Sequence, residues 1–81
     1  MEKRIGTVTL LLSDRTKAAD VNAIVSDHAD IILCRQGLPF RDRDMAVIAL
    51  IVEGSSDRIN ALTGRLGRVS GVEAKAVLSK Y

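Results

Sequence analysis

The longest apolar run of the chain lies at residues 45–52, which read Met-Ala-Val-Ile-Ala-Leu-Ile-Val. The run is rich in β-branched residues and lies between the charged residues 41–44 and the turn-forming residues 53–56. An apolar segment this short between turn signals favours a strand with two apolar faces, although periodicity alone also allows a buried helix segment. Because successive side chains of a strand point to opposite faces, one face would carry Met45, Val47, Ala49 and Ile51.

Three further segments show strand patterns. Residues 4–12 alternate between an apolar face and a threonine-bearing face, and residues 72–79 alternate apolar with mostly polar side chains. Residues 30–36 indicate another strand, which we expect to end at residues 37–40 because proline cannot donate to a sheet ladder. The segment at 30–36 and the apolar run at 45–52 would then form a hairpin with a long charged tip.

Two segments show the three- and four-residue spacing of apolar side chains that is typical of amphipathic helices. The first spans residues 15–28 and follows the Ser-Asp pair at 13–14, whose side-chain oxygens can cap a helix. We expect His28 in its last turn, where an imidazolium would meet the negative end of the helix dipole. The second begins at the serines 55–56 and ends near Gly67. Its apolar face would carry Ile59, Leu62 and Leu66.

The predicted element order is therefore β-α-β-β-α-β, in a single domain of residues 1–81. Two split βαβ units with right-handed crossovers place both helices on one face of a four-stranded antiparallel sheet. The first and third strands lie in the middle of this sheet, which explains why residues 45–52 are so apolar. The predicted fold class is α+β, of the ferredoxin-like type.

This architecture leaves one face of the sheet without helices. The chain is small, and it has one cysteine and no Cys/His cluster, so neither a disulfide nor a structural metal can reinforce it. Oligomerisation is the remaining common route to stability. We therefore expect a dimer or tetramer, unless long Arg and Lys side chains cover the open face. Its interface would include Met45, Val47, Ala49 and Ile51.

Composition and charge narrow the classes of function. A net charge of +2 permits an acidic partner without requiring one. One Tyr, one Phe and no Trp provide few rings for stacking on single-stranded nucleic acid. No long apolar segment follows the initial Met-Glu-Lys-Arg, so we expect no signal peptide, no membrane span and a cytoplasmic location.

Few residues suggest catalytic chemistry. The sequence shows no paired carboxylates, nucleophile–base set or Walker-type loop, so we expect no enzyme activity, no catalytic residue, no metal and no cofactor. His28 has no partner ligand at a useful spacing and is interpreted as a structural histidine. Cys34 is expected to be a buried inert thiol, with a redox or metal-binding thiolate as the alternative.

Arg35, Gly37 and Pro39 form one candidate ligand site. Glycine lets a backbone approach a ligand closely. A guanidinium on an otherwise apolar strand requires a carboxylate, a phosphate or water as its partner. That partner is a bound ligand in one interpretation and an Asp or Glu of the same assembly in the other.

Four blocks, at residues 1–6, 35–40, 45–54 and 61–72, resemble in order and spacing the small regulators associated with the iron-only hydrogenase system. The resemblance covers nearly the whole chain. That family is similar to ACT domains and to the C-terminal domain of the nickel-responsive repressor. The resemblance implies an ACT-like ferredoxin fold, assembly into dimers or tetramers, and a regulatory role linked to hydrogenase maturation or transcription.

The chain also departs from those relatives. The nickel site of the repressor uses several histidines and a cysteine, whereas only His28 and Cys34 are present here. The ribbon-helix-helix segment that binds DNA in the repressor has no counterpart. An effect on transcription would therefore require a DNA-binding partner protein or a direct contact with DNA. Cys34 also stands where the family pattern suggests glycine.

The resemblance to ACT domains implies a second candidate ligand site, in the loop between the first strand and the first helix. In this loop Asp14 could accept an ammonium group and Arg15 could donate to an anion. The alternative is an ordinary helix cap followed by a solvent-facing arginine.

Three hypotheses of function follow. The first is an oligomeric regulatory module that senses a small-molecule effector. The second is a bare oligomeric scaffold for a partner protein. The third is weak direct binding of nucleic acid through basic residues of the second helix. These residues are Arg58, Arg65 and Arg68.

Overall fold

The computed structural model describes residues 3–80, so residues 1, 2 and 81 of the predicted domain lie outside the description. The elements follow the order β-α-β-β-α-β, as predicted. They are β1 (Arg4–Leu12), α1 (Ala18–Asp27), β2 (Ile32–Phe40), β3 (Met45–Gly54), α2 (Ser56–Gly67) and β4 (Val72–Leu78).

The four strands form one sheet in the order β2-β3-β1-β4, and every neighbouring pair is antiparallel. The predicted middle position of β1 and β3 is confirmed, and the fold is the α+β ferredoxin-like one. None of the helices in residues 3–80 is long and apolar enough to cross a membrane.

The core lies between one face of the sheet and the two helices. Val8 lies opposite Leu50 and Leu10 opposite Ile48 on this face, and all four side chains are buried. The helices contribute buried side chains at the three- and four-residue spacing seen in the sequence. These are Val21, Val25, Ile59, Leu62 and Leu66. Full burial of an aliphatic side chain contributes about 1.5–3 kcal/mol, so this single core carries much of the fold's stability.

The first helix begins later than the sequence predicted. Asp14 caps a short 3-10 turn at Arg15–Lys17, and the α-helix proper starts at Ala18. His28 is the residue after the last helical turn rather than a member of it. The second helix begins as predicted, because the Oγ of Ser55 accepts a hydrogen bond from the backbone amide of Arg58 at 3.2 Å.

The predicted end of the second strand at residues 37–40 is wrong. β2 continues through Gly37 and Pro39 to Phe40, and Pro39 is paired with Ala46 of β3. Because β2 lies at the edge of the sheet, the missing amide hydrogen of proline leaves no inner ladder unsatisfied. The hairpin tip is therefore shorter than predicted: a 3-10 turn at Arg41–Arg43 followed by Asp44 with φ 51°.

A bulge at Leu33 decides which way the side chains of β2 point. Ile32 pairs with Val52, whereas Cys34 pairs with Ile51 and Arg35 with Leu50. Arg35 therefore lies on the helix side of the sheet and Cys34 on the opposite side. The expectation that Cys34 is buried is wrong, since the thiol is exposed on an edge strand where no helix covers it.

The face of the sheet opposite the helices carries several apolar side chains, and we call it the open face. Ile51 is 43% exposed, Leu38 58% and Val77 71%. The side chains predicted for an interface lie on this face, because they alternate along β3 with the buried Ile48, Leu50 and Val52. The predicted interface residues on it are Met45, Val47, Ala49 and Ile51.

Candidate functional site

A cavity of about 280 Å³ lies where the start of α1 faces the middle of β2 and β3. Four of the five residues predicted for ligand binding line it, although they come from two separate candidate sites. Those four are Arg15, Arg35, Gly37 and Pro39. The rest of the wall is largely apolar and includes Leu12, Ala18, Ala46 and Ile48. We call this cavity the arginine pocket.

Arg35 reaches the arginine pocket from the edge strand. Its Nη2 donates a hydrogen bond of 2.6 Å to Oδ1 of Asn22 on α1. Among residues 3–80 no carboxylate forms an ion pair with Arg35, so the expected pairing with Asp or Glu is not found within the described chain. A neutral amide orients the guanidinium without neutralising it, and the remaining N–H donors stay available.

Arg15 enters the pocket from the 3-10 turn that precedes α1. This turn is fixed by Asp14, whose Oδ1 accepts hydrogen bonds from the backbone amide of Thr16 at 3.0 Å and from its hydroxyl at 2.6 Å. The Thr16 hydroxyl and then its amide lower the pKa of Asp14. Asp14 does not line the pocket, and its carboxylate acts as the cap of the turn.

The turn before β4 is hydrogen-bonded to the loop that precedes Arg15. The amide of Ser13 donates to the carbonyl of Gly71 at 2.8 Å, and the Ser13 hydroxyl donates to the same carbonyl at 3.1 Å. Gly71 has φ +79°, and a Cβ added there would lie 2.8 Å from the Cβ of Asp14. The position of Arg15 therefore depends on a glycine far away in the sequence.

Asn22 was not predicted as a site residue. Positions 15, 18 and 22 have the three- and four-residue spacing that places side chains on one face of a helix, and all three line the pocket. That spacing was a signal in the sequence that could have identified Asn22. Its pairing with Arg35 could not be read there, because it depends on the bulge in β2.

A second cavity, of about 410 Å³, opens on the other side of β2. It lies on the open face and includes Val47 and Ala49 of the predicted interface. Gly37 and Leu38 line both this cavity and the arginine pocket. The edge strand therefore forms a thin common wall between the two.

The end of α1 holds a cluster around His28. Arg65 approaches the Nε2 of His28 with Nη1 at 3.1 Å and donates from Nη2 to Oδ2 of Asp27 at 3.1 Å. Because a guanidinium only donates, this contact is a hydrogen bond only when Nε2 accepts, which requires a neutral ring. Burial, followed by the charges of Arg65 and Arg58, lowers the pKa of His28. The imidazolium expected at this helix end is therefore disfavoured.

Two of the three arginines predicted for nucleic-acid binding, Arg58 and Arg65, have acidic partners. Arg58 makes a two-pronged ion pair with Asp30, in which Nη2 donates to Oδ1 at 2.9 Å. Arg65 is paired with Asp27. These carboxylates offset the charge that a phosphate backbone would require, and they weaken the third hypothesis.

Residues 3–80 contain no preformed metal site. Within residues 3–80, no group of three or more His, Cys, Asp and Glu side chains lies close enough to hold a metal ion. His28 and Cys34 are on different elements, and the Nε2 of His28 already contacts Arg65.

Comparison with known proteins matches the chain to one family and to several solved structures. A family described as "Iron-only hydrogenase system regulator, putative" (TM1266-like) matches residues 4–76. The uncharacterized protein TM1266 from Thermotoga maritima is 41% identical with a TM-score of 0.91, over 98% of this chain and 100% of that one.

A more distant structure shows the fold alone. The C-terminal domain of the MgtC protein from Mycobacterium tuberculosis is 12% identical with a TM-score of 0.73, over 96% of this chain and 89% of that one. No curated protein matches the chain.

Proposed function

Because the chain belongs to the iron-only hydrogenase system regulator family, we propose that it is a non-catalytic regulatory module that binds a small effector and assembles through its open face. One observation carries this proposal: two arginines from separate elements line one small cavity, whose edge-strand wall is shared with the open face. Arg15 and Arg35 have no carboxylate partner among residues 3–80. Such a site suits ligand binding, and it offers no nucleophile or acid–base pair for catalysis.

Assembly is supported by the apolar character of the open face. Contiguous exposed apolar surface usually marks an interaction site. Isolated small domains also gain stability when they bury such a face against a second copy. We propose that the open face packs on another copy of the chain in a dimer or tetramer. The predicted residues Met45, Val47, Ala49 and Ile51 would lie in this contact.

Gly37 and Leu38 supply the link between effector and assembly. An effector that contacts these residues from the helix side would shift β2, whose other side lies on the proposed interface. A ligand can shift an assembly equilibrium only through such a difference in contacts between the two states. We propose that the resulting change is passed to a DNA-binding or maturation partner protein in the cytoplasm, which the family's association with the hydrogenase system suggests.

Native mass spectrometry tests the assembly. We expect a multimer for the wild type and a monomer for Ile51→Glu, because a carboxylate in an apolar contact must lose its hydration. Ala61→Glu adds the same charge to an exposed position of α2 and serves as the matched control, which should remain a multimer. Circular dichroism checks that both variants are folded. A monomeric wild type at micromolar concentration contradicts the proposal.

The open face also supports the second hypothesis, a scaffold without an effector, because it does not depend on the arginine pocket. The two functions differ in one result. A sensor changes its assembly or its unfolding temperature when a small molecule binds, whereas a scaffold stays multimeric and responds to none of the amino acids, metals, nucleotides and organic acids tested.

A further inference from the structure

We infer that the arginine pocket selects a small aliphatic carboxylic acid without an ammonium group, such as a branched 2-oxo acid, over the amino acid of the same carbon skeleton. This inference rests on the proposed effector-binding function and assigns the chemical class of the effector. Its basis is the inventory of charged, polar and apolar groups around the cavity.

The charged groups of the pocket are all positive. Arg15 and Arg35 line it, Asn22 contributes an amide, and none of its described lining residues is an aspartate or a glutamate. Arginine is well suited to carboxylates, because its planar fork can donate two parallel hydrogen bonds. An anion is therefore favoured, and a zwitterion would bring its ammonium group near two guanidinium groups without a counter-charge.

The acidic residue predicted for ligand binding already has hydrogen-bond partners. Asp14 precedes Arg15 and was the predicted acceptor for an ammonium group. Its Oδ1 instead holds the backbone amide and hydroxyl of Thr16, and Asp14 is not part of the pocket wall. Moving this carboxylate toward a ligand would uncap the turn that positions Arg15. The pocket therefore lacks a carboxylate that would balance the ammonium charge of an amino acid.

The uncharged part of the pocket wall determines which chemical groups the rest of the ligand can carry. Leu12, Ala18 and Ile48 contribute apolar surface, and this surface suits a short aliphatic tail. The volume of about 280 Å³ restricts the ligand to a small molecule. A nucleotide or a long acyl chain would exceed it.

Asn22 is a positioning residue for this recognition. Its Oδ1 fixes one Nη of Arg35 at 2.6 Å and leaves the charge of the guanidinium uncompensated. The substitution Asn22→Asp is nearly isosteric but places a competing carboxylate at the same atom. We expect it to weaken anion binding through charge, while the fold and the orientation of Arg35 are kept.

Isothermal titration calorimetry with 4-methyl-2-oxopentanoate and with leucine tests the inference, because the two ligands differ only at C2. We expect saturable binding of the oxo acid and at least about tenfold weaker binding of leucine. Asn22→Asp and Arg35→Gln should each weaken the oxo acid by at least about tenfold. Arg68→Gln removes one positive charge outside the pocket and should bind like the wild type.

The possible binding results distinguish a failure of this inference from a failure of the proposed sensor function. Leucine binding as tightly as the oxo acid overturns the inference and leaves the proposed sensor function standing. Absence of oxo-acid binding at millimolar concentration, in protein shown to be folded by circular dichroism, also overturns the inference. The proposed sensor function fails only when the wider set of metals, nucleotides, amino acids and acids also leaves unfolding temperature and assembly unchanged.

Discussion

His28 is a neutral side chain held among charged ones. Its Nε2 accepts from Arg65, while its Nδ1 is buried and has no hydrogen-bond partner in the described chain. Arg58 and Arg65 oppose a positive ring, and Asp27 and Asp30 favour it less strongly than burial and the arginines disfavour it. The unpartnered Nδ1 lowers the free energy of unfolding, because a buried donor that loses its water is left unsatisfied.

The lowered pKa of His28 predicts a loss of stability on acidification. The unfolded chain takes up a proton at a pKa of about 6.5, whereas the folded chain does so only at lower pH. Between these two pKa values the unfolded state binds more protons, so the free energy of unfolding falls as the pH drops below about 6.5. Urea unfolding measured between about pH 7.5 and pH 5 should show this decline in the wild type.

The variant His28→Gln isolates the contribution of this side chain, because glutamine keeps a polar group and does not titrate. Its stability should decline less over the same range. Asp14 and Asp30 also have lowered pKa values, but their contributions change below the usual carboxylate range and so lie outside this window. Parallel pH profiles for the two proteins would contradict the assignment of the effect to His28.

At the scale of the secondary-structure element, a glycine inside α2 lowers the stability of that helix. Gly64 lies inside this helix, is exposed, and a Cβ added there would meet no atom within 4 Å. Gly64→Ala should therefore raise the free energy of unfolding by about 0.5–1 kcal/mol, because alanine loses less backbone entropy in a helix. Urea denaturation measures the change.

Gly71→Ala is the opposite case and serves as the comparison. Its φ of +79° and the 2.8 Å approach to Asp14 leave no room for a Cβ, so this variant should be destabilised by more than about 1 kcal/mol. A destabilised Gly64→Ala would show that the outer face of α2 packs closely on something beyond the single chain, contrary to our placement of the interface on the open face.

The order of elements could be predicted from the sequence, because the hydrophobic period changes clearly between strands and helices. The course of β2 could not. Proline signals a strand end unless the strand lies at an edge, and edge position is a property of the whole sheet. The bulge at Leu33 is equally nonlocal, and a shift of one residue reverses the faces of all later side chains.

The same bulge limits how much of the candidate site could be predicted. Arg35, Gly37 and Pro39 were candidates by residue type and Arg15 by the resemblance to ACT domains, so they were assigned to two separate sites. Their convergence in one pocket depends on which face Arg35 occupies, and the bulge fixes that face. The pairing of Asn22 with Arg35 and the exposure of Cys34 escaped prediction for the same reason.

At the scale of the whole molecule, stability and assembly are linked. A chain of 81 residues has one modest core, and its open face leaves large side chains such as Leu38 and Val77 mostly exposed in a single copy. Burial of this face against a second copy would add a stabilising term that depends on protein concentration. A monomer has no such term.

We therefore predict that the unfolding temperature of the wild type rises with protein concentration. Differential scanning calorimetry over a hundredfold range should show an increase of a few degrees, since association stabilises the native state by mass action. Ile51→Glu should have a lower unfolding temperature that is independent of concentration, and Ala61→Glu should behave as the wild type does. The unfolding temperature of the wild type could instead stay constant over this range while native mass spectrometry still finds a multimer. In that case the multimer dissociates only after the chain has unfolded, and contacts of the open face do not stabilise the folded state.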